Sequence, residues 1–331
     1  MGVTLGHWVP LAGGDKNRLL LPERIDLRSL RATLRPSPTP MVIAVLKSLR
    51  FHQWVKNLFV LGPLVFARRV DDPRAVISAT LAMACFCLLS SAVYVFNDIV
   101  DVDKDRAHPL KRLRPIASGA LSVGRARVLA AVLAVVGLGG SYLIAPALAA
   151  VAAAYLAQNV AYSFWLKHVP FVDVACISAG FLLRVLGGAY AIPVDPSNWV
   201  LLCTLLLAAF LGFGKRAHEL RVAGSKGGNQ RLVLDRYPPN VLRVLLYLLA
   251  ILTIVAYILY TQSPHALAFF GTRRLALTVP FVVFGVLRFI WIVQGKVDSE
   301  SPTDSMLRDA PFLINLLGYA VAIMSILYGG W

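Results

Sequence analysis

Apolar residues run along this chain in long blocks separated by short polar or charged connectors. Blocks at 75–96, 125–145, 147–166, 171–192, 199–214, 239–261, 275–294 and 310–328 each approach the ~20 residues that a helix needs to cross a ~30 Å hydrocarbon core. A ninth apolar stretch, 57–66, is short as written and lengthens if the residues from Met41 onward belong to the same helix. The pattern predicts an all-α, polytopic membrane protein with nine transmembrane helices, or eight if the 57–66 stretch does not cross. Residues 41–331 form one transmembrane domain in this reading. Residues 1–40 are a flexible N-terminal extension.

Composition supports the pattern. Hydrophobic residues make up 58% of the 331 and charged residues 15%, too few charges for an ordinary soluble protein of this size. Residues 1–40 lack the apolar core of a secretory signal peptide. They carry Arg18, Arg24, Arg28, Arg31 and Arg35 among several prolines. They read as a cytosolic segment lying against anionic headgroups, or as a tail with no such role. Cys85, Cys87, Cys176 and Cys203 all fall inside apolar blocks, with no metal-site spacing, and read as small hydrophobes.

Charge sets the orientation. With nine crossings and the N-terminus in the cytoplasm, 25 of the 33 lysines and arginines lie on that side. Arg68, Arg69, Arg74, Arg273 and Arg274 lie on the other, and Arg184, Arg243 and Arg288 fall within helices. The net charge of +16 is therefore mostly topology and implies no nucleic-acid partner. Two cytoplasmic loops stand out, 98–124 and 215–238, whereas connections such as Ala145–Pro146 and Pro193–Asn198 are short and nearly uncharged. Chemistry is expected on the cytoplasmic side of the plasma membrane.

The most informative stretch is Asn97-Asp98-Ile-Val-Asp101-Val-Asp103-Lys-Asp105, at the end of an apolar helix. Four of the chain's seventeen acidic residues fall within eight positions. If the helix continues, Asp98, Asp101 and Asp105 share one face, Asn97 stands four residues before Asp101, and Asp103 points elsewhere. Carboxylates stacked beside a membrane repel one another and resist desolvation, and a divalent cation relieves both. All-oxygen ligands suit Mg²⁺, held here by Asn97, Asp98, Asp101 and Asp105. Basic residues follow: Lys104, Arg106, Lys111, Arg112 and Arg114, with Pro109 and Pro115 breaking the helix. Metal-binding acids followed by guanidinium forks suit a pyrophosphate.

Three further clusters should meet on the same face: Lys47, Arg50, His52, Gln53, Trp54, Lys56 and Asn57; Tyr162, Ser163 and Lys167; and Lys215, Arg216, His218 and Glu219. Trp54 and Trp165 read as interfacial anchors. Glu219, four residues after Lys215, indicates a held arrangement. Arg184, midway along the fifth long helix, is the costliest charge to place in lipid. It needs either Asp173 as an internal partner or a bound anion.

Asn97-Asp98-x-x-Asp101-x-x-x-Asp105, followed by Arg106 and Arg114-Pro115-x-x-Ser118-Gly119, resembles the UbiA superfamily of intramembrane prenyltransferases. Gln53-Trp54-x-Lys56-Asn57 and Tyr162-Ser163-x-x-Leu166-Lys167 extend the likeness over roughly residues 45–330. Typical members that move a prenyl group carry a second Asp-rich motif after the sixth helix. Here that place reads Gly212-Phe213-Gly214-Lys215-Arg216-Ala217-His218-Glu219. With Phe51-His52-Gln53-Trp54-Val55-Lys56-Asn57, this is similar to the branch that makes polyprenyl-phosphoryl ribose phosphate, the decaprenyl-phosphate phosphoribosyltransferases.

The resemblance implies an Mg²⁺-dependent enzyme that moves 5-phosphoribosyl from 5-phosphoribosyl diphosphate (PRPP) to a polyprenyl phosphate. The product would feed cell-wall arabinan. Asp98, Asp101 and Asp105 would be catalytic through the metal, with Arg106, Lys111 and Arg114 sharing the pyrophosphate charge. Lys47, Lys56, Tyr162, Lys167, Lys215 and Arg216 would hold the acceptor phosphate and the ribose 5-phosphate. Gln53, Asn57, Arg184 and Glu219 belong to the same substrate-binding set. The competing readings are a prenyltransferase acting from a polyprenyl diphosphate on an aromatic acceptor and, further off, a transporter. Membrane lipids are partners in every case, and a homo-oligomer is left open.

Overall fold

The computed structural model describes residues 40–226, 237–295, 302–306 and 308–329. The extension expected at the N-terminus lies outside them, apart from Pro40. The chain enters through helix α1 (Met41–Leu49), a 3₁₀ segment Phe51–Leu61 and a short α2 (Gly62–Phe66). Eight helices long and apolar enough to cross a membrane follow. The first, α3 (Pro73–Val100), is trailed by a short α4 (Val102–Ala107). Then come α5 (Val123–Ile144), α6 (Pro146–Phe164), α7 (Val172–Ala191), α8 (Asn198–Lys226) and α9 (Pro239–Gln262). After a short α10 (Pro264–Phe270) come α11 (Val279–Gln294), α12 (Pro302–Met306) and α13 (Ala310–Tyr328). Among the described residues every regular element is helical.

The stretch expected as a ninth helix is a broken path. Arg50 takes a left-handed conformation (φ 53°), ends α1 and starts the 3₁₀ run. Eleven residues at ~2.0 Å rise and five in α2 at ~1.5 Å cover roughly 30 Å, so a 3₁₀ conformation lets few residues reach far. The segment runs antiparallel to α3. Trp54 donates to Ser91 Oγ (3.0 Å), Asn57 to Ser90 Oγ (3.2 Å), and beyond α2 the Val70 amide donates to Tyr328 Oη (3.3 Å) at the far end. Trp54 is thus packed against α3 rather than acting as a lipid anchor. Trp165, 68% exposed, remains free to play that part.

In lipid, helices gain little from hiding apolar surface from one another, and close packing must hold them. α3 is the hub. Its Ala75, Ala79, Ala82, Phe86, Leu89 and Val93 form one cluster with Val60, Leu148, Ala152 and Tyr155. α8, α9 and α11 pack around Phe210, Leu246 and Phe289. α5 and α13 present Val128, Val135, Leu143, Ile314 and Leu317 outward, as lipid-facing helices do. The four cysteines are free thiols. Because the long helices alternate in direction, the end of α3 meets the starts of α5, α7 and α9 and the ends of α6 and α8. The expected loop 215–238 is shorter than its sequence indicates, because α8 continues as helix to Lys226, and residues 227–236 lie outside the described set.

Candidate active site

The acidic stretch does not continue as one helix. Asp101 (φ −96°, ψ 11°) leaves the α region, closing α3 and starting α4. The three carboxylates therefore do not share a single helix face as the i, i+3, i+7 spacing predicts. Asp98 and Asp105 are both buried and are drawn together by Arg114. One guanidinium nitrogen of Arg114 lies 3.1 Å from Asp98 Oδ1 and 2.7 Å from Asp105 Oδ2. Arg50 donates to the same Asp98 oxygen at 2.5 Å and lies over the Tyr94 ring. Asp101 turns away to Lys167, whose Nζ stands 2.9 Å from Oδ1 and 3.1 Å from Oδ2. Asn97 accepts a hydrogen bond from the Ser163 hydroxyl. Asp103 is exposed and pairs with Arg106 (3.1 Å), outside the cluster as expected. Arg106 Nε also reaches the Ala117 carbonyl at 3.4 Å, tying α4 to the loop behind it.

Three of the predicted clusters thus converge here: the acidic stretch, Lys167, and the Arg50 turn with its neighbours. Gln53 and Lys56 are half-buried, and Lys47 is exposed on α1. Arg50 was the hidden member. It sits among the expected residues, yet the sequence gives no reason to rank it above Lys47 or Lys56 until its left-handed backbone turns it toward Asp98.

The donor set fits a divalent cation in chemistry, being carboxylates with one amide oxygen, and the Arg114 bridge brings Asp98 and Asp105 together. Among the described residues, no three acidic, histidine or cysteine side chains are gathered tightly enough to hold an ion as they stand. Protein cations fill that role instead, one or two per carboxylate. They are partly exposed, with Arg50 and Arg114 side chains at 22% and 31%, so they can turn outward to a phosphate.

Two expectations about charge change. Arg184 does not pair with Asp173. Its guanidinium donates to Asn57 Oδ1 (2.7 Å), Tyr155 Oη (2.8 Å) and the Gly180 carbonyl (2.9 Å), and lies over the Tyr155 ring. Neutral acceptors close at hand outcompete a carboxylate eleven residues away along the helix. Asp173 is taken by Arg216, at 2.6 Å but without hydrogen-bond alignment, and by Tyr237, whose hydroxyl donates to Oδ1 at 2.5 Å. Arg216 is fully buried and also donates to Glu219 and, at 3.4 Å, to Tyr162 Oη. Lys215 stands 4.0 Å from Glu219, keeping the expected i, i+4 pair. Lys215, at 36% exposure, is the cation of this group that faces outward. Burial, reinforced by the bond to Asp173, holds the Tyr237 phenol above its ordinary range.

The bundle, the acidic cluster and its basic rim can be set beside known proteins. The model of the UbiA prenyltransferase family matches residues 58–317. The chain belongs to that family. The decaprenyl-phosphate phosphoribosyltransferase of Corynebacterium glutamicum is 34% identical over 300 residues, 89% of this chain and 90% of that one. The Mycobacterium tuberculosis protein of the same name is 34% identical over 290 residues, 86% of this chain and 95% of its own. Among solved structures, a UbiA homolog from Archaeoglobus fulgidus bound to DMAPP and Mg²⁺ has the same fold, with a TM-score of 0.64 at 17% identity over 86% of this chain and 98% of that one. As a UbiA family member the chain is a multi-pass membrane protein, as its eight apolar helices require.

Proposed function

We propose that this UbiA family chain transfers the 5-phosphoribosyl group of PRPP to a polyprenyl phosphate of decaprenyl type, releasing pyrophosphate. The lipid product would serve cell-wall arabinan synthesis. The observation that carries the reading is the end of α8. A donor prenyl diphosphate would call for a second acidic motif there, but among the described residues Asp173 and Glu219 are the acids at that place and both are engaged by Arg216. Among the described residues one acidic cluster is left for one pyrophosphate. The relatives named for phosphoribosyl transfer, similar along almost their whole length, support the same choice.

Asn97, Asp98, Asp101 and Asp105 would hold Mg²⁺, which supplies neutralisation of the leaving pyrophosphate. Arg50, Arg106, Lys111 and Arg114 would share that charge, the arginines as bidentate forks. Lys167, now on Asp101, and Lys215 would reach the 5-phosphate and the acceptor phosphate, with Lys47 and Lys56 at the approach. The bond from ribose C1 to the pyrophosphate oxygen breaks as a bond from C1 to an acceptor phosphate oxygen forms. The acceptor is already anionic, so no general base is needed, and rate comes from positioning and electrostatics. Arg216, buried and ion-paired with Asp173 and Glu219, and Arg184, buried and hydrogen-bonded to neutral protein groups, would shape the site from behind. The acidic face would lie at the cytoplasmic side of the plasma membrane.

The test supplies purified protein with labelled PRPP and polyprenyl phosphate, with and without Mg²⁺. Label should pass to the lipid only when the metal is present. Turnover of a prenyl diphosphate with an aromatic acceptor, and no lipid-soluble label from PRPP, would overturn the proposal. Asp98→Asn should lower turnover by about 10²-fold or more. It should still fold, since the arginines it strands are partly exposed and can be rehydrated. Asp103→Asn should keep near-full activity, and equal losses in both variants would refute the assignment of the acidic face.

A further inference from the structure

Between α4 and α5 the chain makes an ordered turn whose two leucines no step of the chemistry uses. His108 organises it. Its Nδ1 accepts from the Leu110 and Lys111 amides (3.2 and 3.3 Å), and its carbonyl accepts from the Arg112 amide (3.1 Å). The Leu113 amide then donates to the Leu110 carbonyl (3.1 Å), forming a single 3₁₀ turn. In that geometry residues three apart eclipse, so Leu110 and Leu113 stand on the same side. They are 58% and 73% exposed. Here the chain displays two leucines on a preformed turn, with Lys111 and Arg112 between them.

The turn's depth follows from its neighbours. Arg114, next in sequence to Leu113, lies on Asp98 in the last turn of α3. Ile116 packs in one cluster with Val95, which is within the α3 span, and with Ala44 of α1. The leucines therefore stand level with the end of a membrane-spanning helix, not out in the aqueous phase. α1 continues the surface, with Met41, Val42, Ile43 and Leu46 exposed around the buried Ala44.

We propose that the His108–Arg114 turn is an interfacial anchor, its Leu110 and Leu113 set into the acyl boundary of the leaflet on the site side. Arg112, exposed beside them, lies against anionic headgroups there. Apolar residues on one side of a short turn with cations beside them match the two components of such a boundary. The anchor holds Arg114 at the depth where the headgroup of a membrane-borne substrate arrives.

The test uses Leu113→Trp, and Leu110→Trp as a second probe, in the full-length protein in phosphatidylglycerol-containing vesicles. The emission added over the unsubstituted protein is measured. Phosphatidylcholine brominated on its acyl chains should quench the added emission severalfold more than aqueous iodide does. Quenching by iodide alone would place the turn in water and overturn the proposal. Quenching by neither would show the face covered by protein, a second copy or a partner, and would overturn it equally. Fluorescence is read without turnover, so the result is independent of whether the phosphoribosyl reading holds.

Discussion

Gly188 shows how little room some positions in this bundle leave. A Cβ there would overlap the Val60 backbone carbonyl of the 3₁₀ segment, which cannot swing aside as a side chain can. Gly188→Ala should force α7 and the 3₁₀ segment apart and cost at least about 3 kcal/mol, the upper range for overpacking. The measurement is thermal unfolding in detergent. Gly139→Ala is the matching control. Its Cβ would enter open space, so removing a helix glycine there should leave stability equal or raise it by up to about 1 kcal/mol. An unchanged midpoint for Gly188→Ala would mean that the 3₁₀ segment yields. Arg184 makes a second test at this scale. Asn57→Ala removes the acceptor of a buried guanidinium and should cost about 1.5–3 kcal/mol, as hydrogen bonds to charged groups do. If stability holds and only turnover falls, Arg184 acts on substrate rather than as an internal pin.

At the level of elements, the site depends on where helices stop. α3 ends at Asp101, and that break separates Asp101, facing Lys167, from Asp98 and Asp105, facing Arg114. Sequence spacing made the four ligand candidates legible and placed Asp103 outside, yet it could not show the break. No glycine or proline marks it; the local hydrogen-bond pattern and the pull of Lys167 from α6's end do. The Asp173–Tyr237 contact was invisible for another reason, since it joins residues 64 apart through a hydroxyl. That hydroxyl also accepts from the Phe171 amide (2.5 Å), and Phe171 holds a left-handed φ of 67° just before α7. Tyr237 thereby latches α9's start to the turn that carries Lys167 and to the carboxylate that engages Arg216. Tyr237→Phe should strand the Phe171 amide and take one donor from Asp173, destabilise by about 1–3 kcal/mol, and reduce kcat by roughly ten- to hundredfold through misplacement. Steady-state kinetics on folded protein read the second effect, and an unchanged kcat would uncouple the latch from the site. Burial and Asp173 hold the phenol's pKa above its ordinary range, so Tyr237 keeps its proton through neutral and mildly alkaline pH and the latch should not respond to pH there.

For the whole molecule, hydrophobic blocks alone located all eight long helices, seven of them to within a few residues and α8 twelve residues short at its polar end, because a crossing of fixed thickness sets both length and composition. The segment Phe51–Phe66 escaped the same logic, since a 3₁₀ path covers a given distance with fewer residues than an α-helix needs. Whether it crosses decides on which side Met41 lies. If Phe51–Phe66 traverses, an odd number of passes puts Met41 on the face of the acidic cluster and the end of α13 on the other. The bias of basic residues agrees, with Arg106, Lys111, Arg112, Arg114, Lys167 and Lys215 on the cluster's face. Asp195, in the α7–α8 connection, and Arg127, in the first turns of α5, are exposed on opposite faces. The native cysteines all lie within the helices. In intact cells, Asp195→Cys should react with a membrane-impermeant maleimide. Arg127→Cys should react only after permeabilisation, and a cysteine placed at Val42 should behave as Arg127→Cys does. Labelling at position 42 from outside would remove the ninth crossing, while labelling at 127 from outside would invert the protein and place its acidic cluster away from the cytoplasm.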